Sequence, residues 1–150
     1  MAPATGGGAP GPLVHTLRVR YGESDLQGIA FNAHYLNYFD VGMTELWRAA
    51  YGSYQGMLER GVDIVLAEAR LWFRKPARFD DELTLSVVVT HIGNTSILTR
   101  HCARCAADVV ADGELRHVLV DLQTLGKTPI PGWAREGLEP WHVPAEAERG

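Results

Sequence analysis

Residues 20–40, RYGESDLQGIAFNAHYLNYFD, hold the side chains of this chain that are best suited to chemistry. Asp25 lies in a loop flanked by Gly22 and Gly28, and a mostly apolar stretch of helical pattern follows within a few residues. A carboxylate can act as a nucleophile or as a general base. An aspartate between glycines also forms ordinary turns by bonding to its own backbone. The segment therefore suggests either a carboxylate aimed at a bound substrate or a surface turn.

Apolar periodicity predicts the elements that would position this loop. Alternation predicts a strand over residues 14–21, and apolar residues at helical spacing predict one long helix from about Asn32 to Tyr51. That helix is apolar over more than half of its girth, which favours a helix wrapped by a sheet. SYQGMLERG fits a short second helix, and four strands follow at residues 62–74, 82–92, 95–107 and 114–125, with turns at Gly93-Asn94 and near Asp112-Gly113.

A strand, a buried helix and four further strands make an α+β domain. One antiparallel sheet wrapped around one long central helix is the hotdog fold, which we expect over residues 13–130. Residues 1–12 are expected to form a flexible N-terminal tail and residues 131–150 an irregular, proline-bearing C-terminal tail. Because the edges of such a sheet favour pairing with a second copy, a homodimer with a continuous sheet is expected.

The composition argues against several classes of partner. The chain has 150 residues, of which 46% are hydrophobic and 21% charged, as in an ordinary folded domain. A formal net charge of −4 without a Lys/Arg block gives no reason to expect nucleic acid. No apolar run is long enough for membrane insertion. MAPATGGGAPGP lacks the basic start and apolar core of a signal peptide, so a cytoplasmic location is expected by default.

The segment YGESDLQGIAFNAHYLNYFDVGMTELWR resembles the signature of the 4-hydroxybenzoyl-CoA thioesterase family of hotdog proteins, including its Tol-Pal-associated acyl-CoA thioesterase branch. That signature has an aromatic residue, an aspartate, two variable residues and a glycine, followed by a helix start rich in Asn, His and Tyr. KPARFDDELTL resembles the family's entry to its third strand. The resemblance covers about residues 16–125, and the matching positions of the signature are Asp25, Gly28, Ile29, Phe31, Tyr35, Tyr38, Phe39 and Asp40.

The resemblance implies a thioester hydrolase that needs no metal or other cofactor and takes a coenzyme A thioester as its substrate. Asp25 would attack the thioester carbonyl or activate the water that does so. The backbone amide of Asn32, helped by the helix dipole, would bind the oxygen as it becomes an oxyanion. Gly28 would let the loop pass close to the acyl group, and Phe31 and Tyr35 would contact the substrate.

General chemistry agrees with these roles. Thioester hydrolysis needs a nucleophile or base, an oxyanion donor and a slot for the acyl chain. A carboxylate beside a helix start supplies the first two, and the apolar seam between helix and sheet supplies the third. The positive potential of the helix start should also keep Asp25 ionised.

In the family, the sites lie at the interface of a homodimer, and homotetramers are common.

The sequence departs from the family pattern in two places. The Tol-Pal-associated branch usually has His at the position of Asn32 and Asn at the position of His34, so His34 is a secondary catalytic candidate. Some members hold the nucleotide phosphates of CoA with a basic cluster at the hairpin that reads GNTS here. Either basic residues elsewhere do this, or an acyl-carrier protein presents the substrate. The uncharged hairpin residues assigned to the pantetheine path are Asn94, Thr95 and Ser96.

Two rival functions stay open. A hydratase on the same fold would need a histidine about five residues after the aspartate, where this chain has Ala30. A non-catalytic binding module for acyl-CoA or acyl-carrier protein would keep the pocket and the dimer without turnover. If Asp25 is silent, Glu68 in the second strand is the reserve base.

The remaining cysteines and histidines favour packing roles. Cys102 and Cys105 lie three apart in a predicted strand and so point to opposite faces, which disfavours a redox or metal pair. His91, His101 and His117 fall in different strands, and we expect them to be core or solvent-exposed residues rather than one cluster.

Overall fold

The computed structural model describes residues 9–145. Its five strands form one antiparallel sheet in the order β1-β3-β4-β5-β2, with a long helix packed on one face. This is the α+β hotdog architecture predicted from the sequence. The elements in chain order are β1 (Leu13–Arg18), α1 (His34–Tyr51), α2 (Tyr54–Glu59), β2 (Val62–Phe73), β3 (Glu82–Ile92), β4 (Ser96–Cys105), β5 (Asp108–Asp121) and α3 (Gly132–Leu138), with 3-10 turns at Tyr21–Glu23 and Glu139–Trp141.

Helix α1 is buried along the face that meets the sheet. On the facing strand, Leu83, Leu85 and Val87 alternate into the same core. Each large apolar side chain buried there stabilises the fold by about 1.5–3 kcal/mol, so the first turn of α1 has a fixed place relative to the sheet. The buried side chains of α1 recur at helical spacing and are Tyr35, Tyr38, Phe39, Met43, Leu46 and Trp47.

Gly113 lies inside β5, so the predicted turn near Asp112-Gly113 is wrong. A Cβ at Gly113 would lie 2.6 Å from the Phe39 ring, and only glycine lets α1 approach the sheet this closely. The hairpin turns instead at residues 106–107, where Ala106 has φ 54° and Cys105 pairs with Asp108. The glycine is therefore explained by a helix–sheet contact.

The predicted turn at Gly93-Asn94 is confirmed. The Gly93 N–H donates to the Ser96 carbonyl at 2.8 Å and closes the turn between β3 and β4. Neither Gly93 nor Asn94 takes a positive φ, so the turn does not need the tolerance of positive φ on which its prediction was based.

The predicted irregular C-terminal tail is wrong for the part that the structure describes. Helix α3 packs Ala134 and Leu138 into the core, and the Tyr51 hydroxyl donates to the Ala134 carbonyl at 2.8 Å. The prolines of this segment flank the helix instead of interrupting it, since Pro131 precedes its first turn and Pro140 follows its last. Residues 146–150 lie outside the described residues.

Residues 1–8 of the predicted N-terminal tail also lie outside the described residues, and residues 9–12 form no helix or strand. The Gly11 N–H donates to the Pro140 carbonyl at 3.1 Å, so the two ends of the described chain are joined. No helix within residues 9–145 is long and apolar enough to cross a membrane.

Candidate active site

The Asp25 loop is a tight turn closed at its base by backbone hydrogen bonds. The Gly28 N–H donates to the Asp25 carbonyl and the Asp25 N–H donates to the Ile29 carbonyl, each at 2.9 Å. The half-buried Asp25 carboxylate accepts from the Gln27 N–H at 2.8 Å through Oδ1, the geometry of a turn-forming aspartate. Both possibilities raised by the sequence therefore fit Asp25, because one carboxylate oxygen holds the turn and the other is not used by it.

Gly28 has φ 76°, in the left-handed region that favours glycine. A Cβ there would meet no other atom within 4 Å. The backbone conformation, rather than a steric conflict within the chain, therefore explains why this position is glycine.

A cleft of about 680 Å³ opens beside Asp25. Tyr21 and Phe79 form one wall, with their rings edge to face at 6.0 Å, and Leu26 projects fully into solvent. The cleft thus combines one carboxylate with an apolar rim. Its lining is Tyr21, Gly22, Ser24, Asp25, Leu26, Gly28 and Phe79.

Helix α1 begins at His34, two residues later than predicted. Asn32 lies in the turn before it, and its carbonyl accepts from the Tyr35 N–H at 3.2 Å. Within residues 9–145 the Asn32 N–H meets no acceptor. This amide is therefore available to a ligand at the positive end of the helix, as the oxyanion role requires.

A second cleft, of about 330 Å³, lies beside Asn32. Tyr35 and Phe73 line it with their rings 5.7 Å apart, and Arg74 and Lys75 lie at the same cleft. Tyr35 is 3% exposed, and burial raises the pKa of its phenol. Tyr35 thus lines the cleft beside Asn32 as a neutral and apolar wall, and its contact with the substrate stays a prediction.

Asp25 and Asn32 lie at neighbouring clefts of one chain rather than in one cavity. Gly28 lines the cleft of Asp25, whereas Ile29 and Ala30 line the cleft of Asn32. The short segment of residues 28–30 is therefore the boundary between the carboxylate and the amide.

His34 and Phe31 lie next to each other but line neither of these two clefts. Their rings are edge to face at 6.3 Å, and Nδ1 of His34 is 3.3 Å from the amide nitrogen of Asn37. Phe31 is half exposed. The catalytic role of His34 and the substrate contact of Phe31 therefore stay predictions.

The hairpin residues assigned to the substrate lie at the far end of the sheet. Strand β3 runs from Glu82, beside the Asp25 loop, to Ile92, a path of about 33 Å at the usual rise per residue. The Asn94 carbonyl accepts from the Ile130 N–H at 2.8 Å, and the Thr95 carbonyl accepts from the Leu119 N–H at 2.9 Å. Within one chain, residues 94–96 and Asp25 are thus not brought together.

Glu68 lies on the face of the sheet opposite α1. It pairs with Arg70 at 2.9 Å and with Arg116 at 3.6 Å, while Phe73, five residues further along β2 and so on the other face, contacts Tyr35 on the helix side. Glu68 is therefore placed poorly as a reserve base for a site at the start of α1.

The cysteines and histidines behave as the sequence predicts. Cys102 and Cys105 are free thiols on opposite faces of β4. His101 and His117 are buried in the core, and His91 is exposed.

Glu23 was not among the site residues predicted from the sequence, and it is buried next to the Asp25 loop at 8% exposure. Its carboxylate accepts from the Tyr38 hydroxyl at 3.0 Å and from the Arg20 backbone N–H at 2.8 Å. Burial opposes its ionisation, but hydrogen bonds from Arg20 and Tyr38 outweigh burial and lower the pKa of Glu23. The available signal was a glutamate two positions before the candidate aspartate, with a tyrosine in the buried stripe of the helix.

Comparison with known proteins supports the family expected from the sequence. The thioesterase-like superfamily model matches residues 19–138. The acyl-CoA thioester hydrolase YbgC of Escherichia coli is 26% identical over 116 residues, which is 77% of this chain and 87% of YbgC.

Solved structures of similar proteins have the same fold. TT1821, a hypothetical protein from Thermus thermophilus, is 25% identical and superposes with a TM-score of 0.79 over 86% of this chain and 98% of its own. Slr0204, a 1,4-dihydroxy-2-naphthoyl-CoA thioesterase from Synechocystis, is 19% identical with a TM-score of 0.78 over 85% of this chain and 96% of its own. Membership of the 4-hydroxybenzoyl-CoA thioesterase family and of its Tol-Pal-associated branch stays a prediction. The chain belongs to the thioesterase-like superfamily, and the thioester hydrolase class predicted from its sequence is confirmed.

Proposed function

We propose that the chain hydrolyses an acyl-CoA thioester to a carboxylic acid and free coenzyme A, with Asp25 as the reacting carboxylate. The observation that carries this proposal is the pairing of a half-buried carboxylate on a closed loop with the unbonded Asn32 amide that follows it. The relatives named as acyl-CoA thioesterases support the substrate class.

The proposed reaction uses the boundary between the two clefts. The thioester carbonyl lies near residues 28–30, with its oxygen toward the Asn32 N–H. The Asp25 carboxylate attacks the carbonyl carbon, the C–S bond breaks, and the thiolate leaves and takes a proton from water. Water then hydrolyses the mixed anhydride and regenerates the carboxylate. In the alternative, Asp25 takes a proton from a water that attacks directly.

The apolar groups around Asp25 and Asn32 suit an acyl chain. Tyr21, Leu26 and Phe79 line the cleft beside the carboxylate, and Tyr35 and Phe73 line the cleft at the amide. The acyl group and the pantetheine arm would occupy one cleft each. Gly28, Phe31 and His34 stay as proposed substrate or positioning contacts.

A second copy of the chain would complete the site. Strand β2 is an edge of the sheet, and it exposes apolar side chains on both faces. Residues 94–96 are too distant from the Asp25 of their own chain to contact the same substrate, so they would serve a site in another copy. A homodimer is the smallest assembly that allows this, and a homotetramer allows it too. The exposed apolar residues of β2 are Val65, Leu66, Trp72 and Phe73.

Substrate class is tested by following thiol release over a panel of aliphatic and aromatic acyl-CoAs, alongside the same acyl groups on phosphopantetheine of an acyl-carrier protein. Turnover of free acyl-CoA is the expected result. Turnover of the carrier-bound substrates alone would overturn the CoA assignment in favour of a carrier-protein thioesterase. Binding of acyl-CoA without hydrolysis would indicate a binding module. No metal or other cofactor is expected to be needed, and the cytoplasmic location stays a prediction.

A further inference from the structure

Glu23 joins three parts of the molecule that surround the Asp25 loop. Its Oε1 accepts from the Arg20 N–H at 2.8 Å and from the Tyr38 hydroxyl of α1 at 3.0 Å. Its own carbonyl accepts from the Phe31 N–H at 2.9 Å, on the far side of the loop. One residue therefore connects the end of the first strand, the buried face of the helix and the return of the loop.

The helix end of this network is rigid. Tyr38 is 2% exposed and packs edge to face against Tyr35 at 5.5 Å, so its hydroxyl has a fixed position in the core. Burial raises the pKa of Tyr38, and its hydrogen bond to Glu23 acts in the same direction, so the phenol remains a donor. The Glu23 carboxylate is thus held by donors on both sides.

The two sides of the Asp25 loop are held by different partners. Residues 28–30 are held by the segment at residues 77–79, since the Ala30 N–H donates to the Ala77 carbonyl at 2.7 Å and the Phe79 N–H donates to the Gly28 carbonyl at 3.4 Å. The other side, residues 24–27, follows directly from Glu23 and ends in an exposed tip. If Glu23 moves, residues 24 and 25 move with it relative to residues 28–30, and the carboxylate of Asp25 changes its position relative to the Asn32 amide.

We propose that Glu23 is the positioning residue of the reacting carboxylate, and that it transmits the position of the helix to Asp25 through its hydrogen bond with Tyr38. This inference rests on the proposed function, because it takes Asp25 as the group that must be placed. Glu23 contacts no substrate in this scheme, since its carboxylate oxygens are taken by Arg20 and Tyr38.

The test is Glu23→Gln with Glu82→Gln as the matched control. Glutamine keeps the size of the side chain but replaces one of the two accepting carboxylate oxygens with an NH2 group, which can only donate. Glu82 lies nearby at the start of β3, where its exposed carboxylate makes a 3.5 Å ion pair with Arg18. We expect kcat of Glu23→Gln to fall by about 10- to 100-fold with KM within about 3-fold, the scale of a small misplacement of a reacting group. Glu82→Gln should match the wild type.

The other members of the network predict an order of effects. Tyr38→Phe removes one of the donors and should lower kcat less than Glu23→Gln does. Arg20→Ala should have the smallest effect, because the Arg20 side chain is 82% exposed and its backbone N–H stays in place. A purely structural role for Glu23 would instead lower the melting temperature and leave kcat per folded molecule unchanged, which would overturn the proposal.

Hydrogen exchange separates this inference from the proposed function. In Glu23→Gln, the amides of Gln27, Ile29 and Phe31 should exchange at least about 10-fold faster than in Glu82→Gln, while amides in β4 keep their protection. This measurement needs no substrate, so it tests the positioning role independently of activity. If the wild type hydrolyses no thioester, or if Asp25→Asn stays active, only the proposed function is overturned. Unchanged exchange in the loop would overturn the positioning role whatever the activity.

Discussion

Two buried histidines should make the stability of this protein fall in mild acid. His101 is 1% exposed and His117 is 5% exposed, and Nδ1 of each has no hydrogen-bond partner within residues 9–145. Burial, with a smaller effect of His117, lowers the pKa of His101 to about 3, and burial lowers the pKa of His117 to about 4. Both therefore stay neutral in the folded protein at pH values where the unfolded chain is protonated.

The sign and size follow from proton linkage. Below a pH of 6.5, the ordinary histidine value, the unfolded chain binds protons that the folded chain does not, so stability decreases as the pH falls toward 4. At pH 5, which is about 1.5 pH units below the ordinary value, the loss of stability is about 2 kcal/mol for each histidine and about 4 kcal/mol for the pair. That is a large part of the free energy of unfolding of a typical folded domain, which is roughly 5–15 kcal/mol.

Urea unfolding at several pH values between 8 and 5 measures this directly. His117→Leu removes one titrating group and breaks no hydrogen bond among the described residues, so it should lose about 2 kcal/mol less stability than the wild type between pH 8 and pH 5. His91→Leu, at an exposed position on β3, is the matched control and should keep the wild-type dependence. Equal pH dependence of His117→Leu and the wild type would refute the assignment of this instability to the buried histidine.

Three further changes test separate parts of the structure. Gly28→Ala should destabilise the protein by about 1–2 kcal/mol in thermal unfolding, since a side chain is strained at φ 76°, and an unchanged melting temperature would contradict that conformation. Leu138→Ala should cost about 2–5 kcal/mol in the same assay, because Leu138 is fully buried, and a neutral result would mean that α3 is not part of the folded domain. Leu66→Lys with Val65→Lys should shift the protein toward the monomer in sedimentation velocity, because charge on the β2 edge opposes strand pairing, and an unchanged assembly would exclude β2 as the interface.

The fold could be predicted from the sequence because its main signals are local. The stripe of apolar residues in α1 and the alternation in β3 have a single periodicity each, and both elements are found where that periodicity predicts them. Gly113 misled the prediction because a glycine has the same sequence signal in a turn and in a tight contact. Which of the two applies depends on Phe39, a residue distant in sequence.

The site was predictable only in part for the same reason. Asp25, Gly28 and Asn32 form a local motif, and the loop that holds Asp25 and Gly28 is where the sequence places it, although α1 begins two residues later than predicted and leaves Asn32 in the turn before it. Glu23 was missed because its importance comes from burial and from the hydroxyl of Tyr38, which the sequence alone does not reveal. Residues 94–96 are separated from Asp25 by the length of β3, and short sequence motifs do not reveal how far apart they lie in the fold.

The most direct test of the central claim is the rate of thioester hydrolysis by Asp25→Asn relative to Asp80→Asn, measured as thiol release from the best acyl-CoA of the panel. Asp80 is an exposed aspartate near the same loop, at φ 69°, a conformation that asparagine tolerates, so it controls for the substitution itself. We predict a loss of at least about 100-fold for Asp25→Asn and a wild-type rate for Asp80→Asn. Wild-type hydrolysis by Asp25→Asn would contradict the account and leave Asp25 as a turn residue.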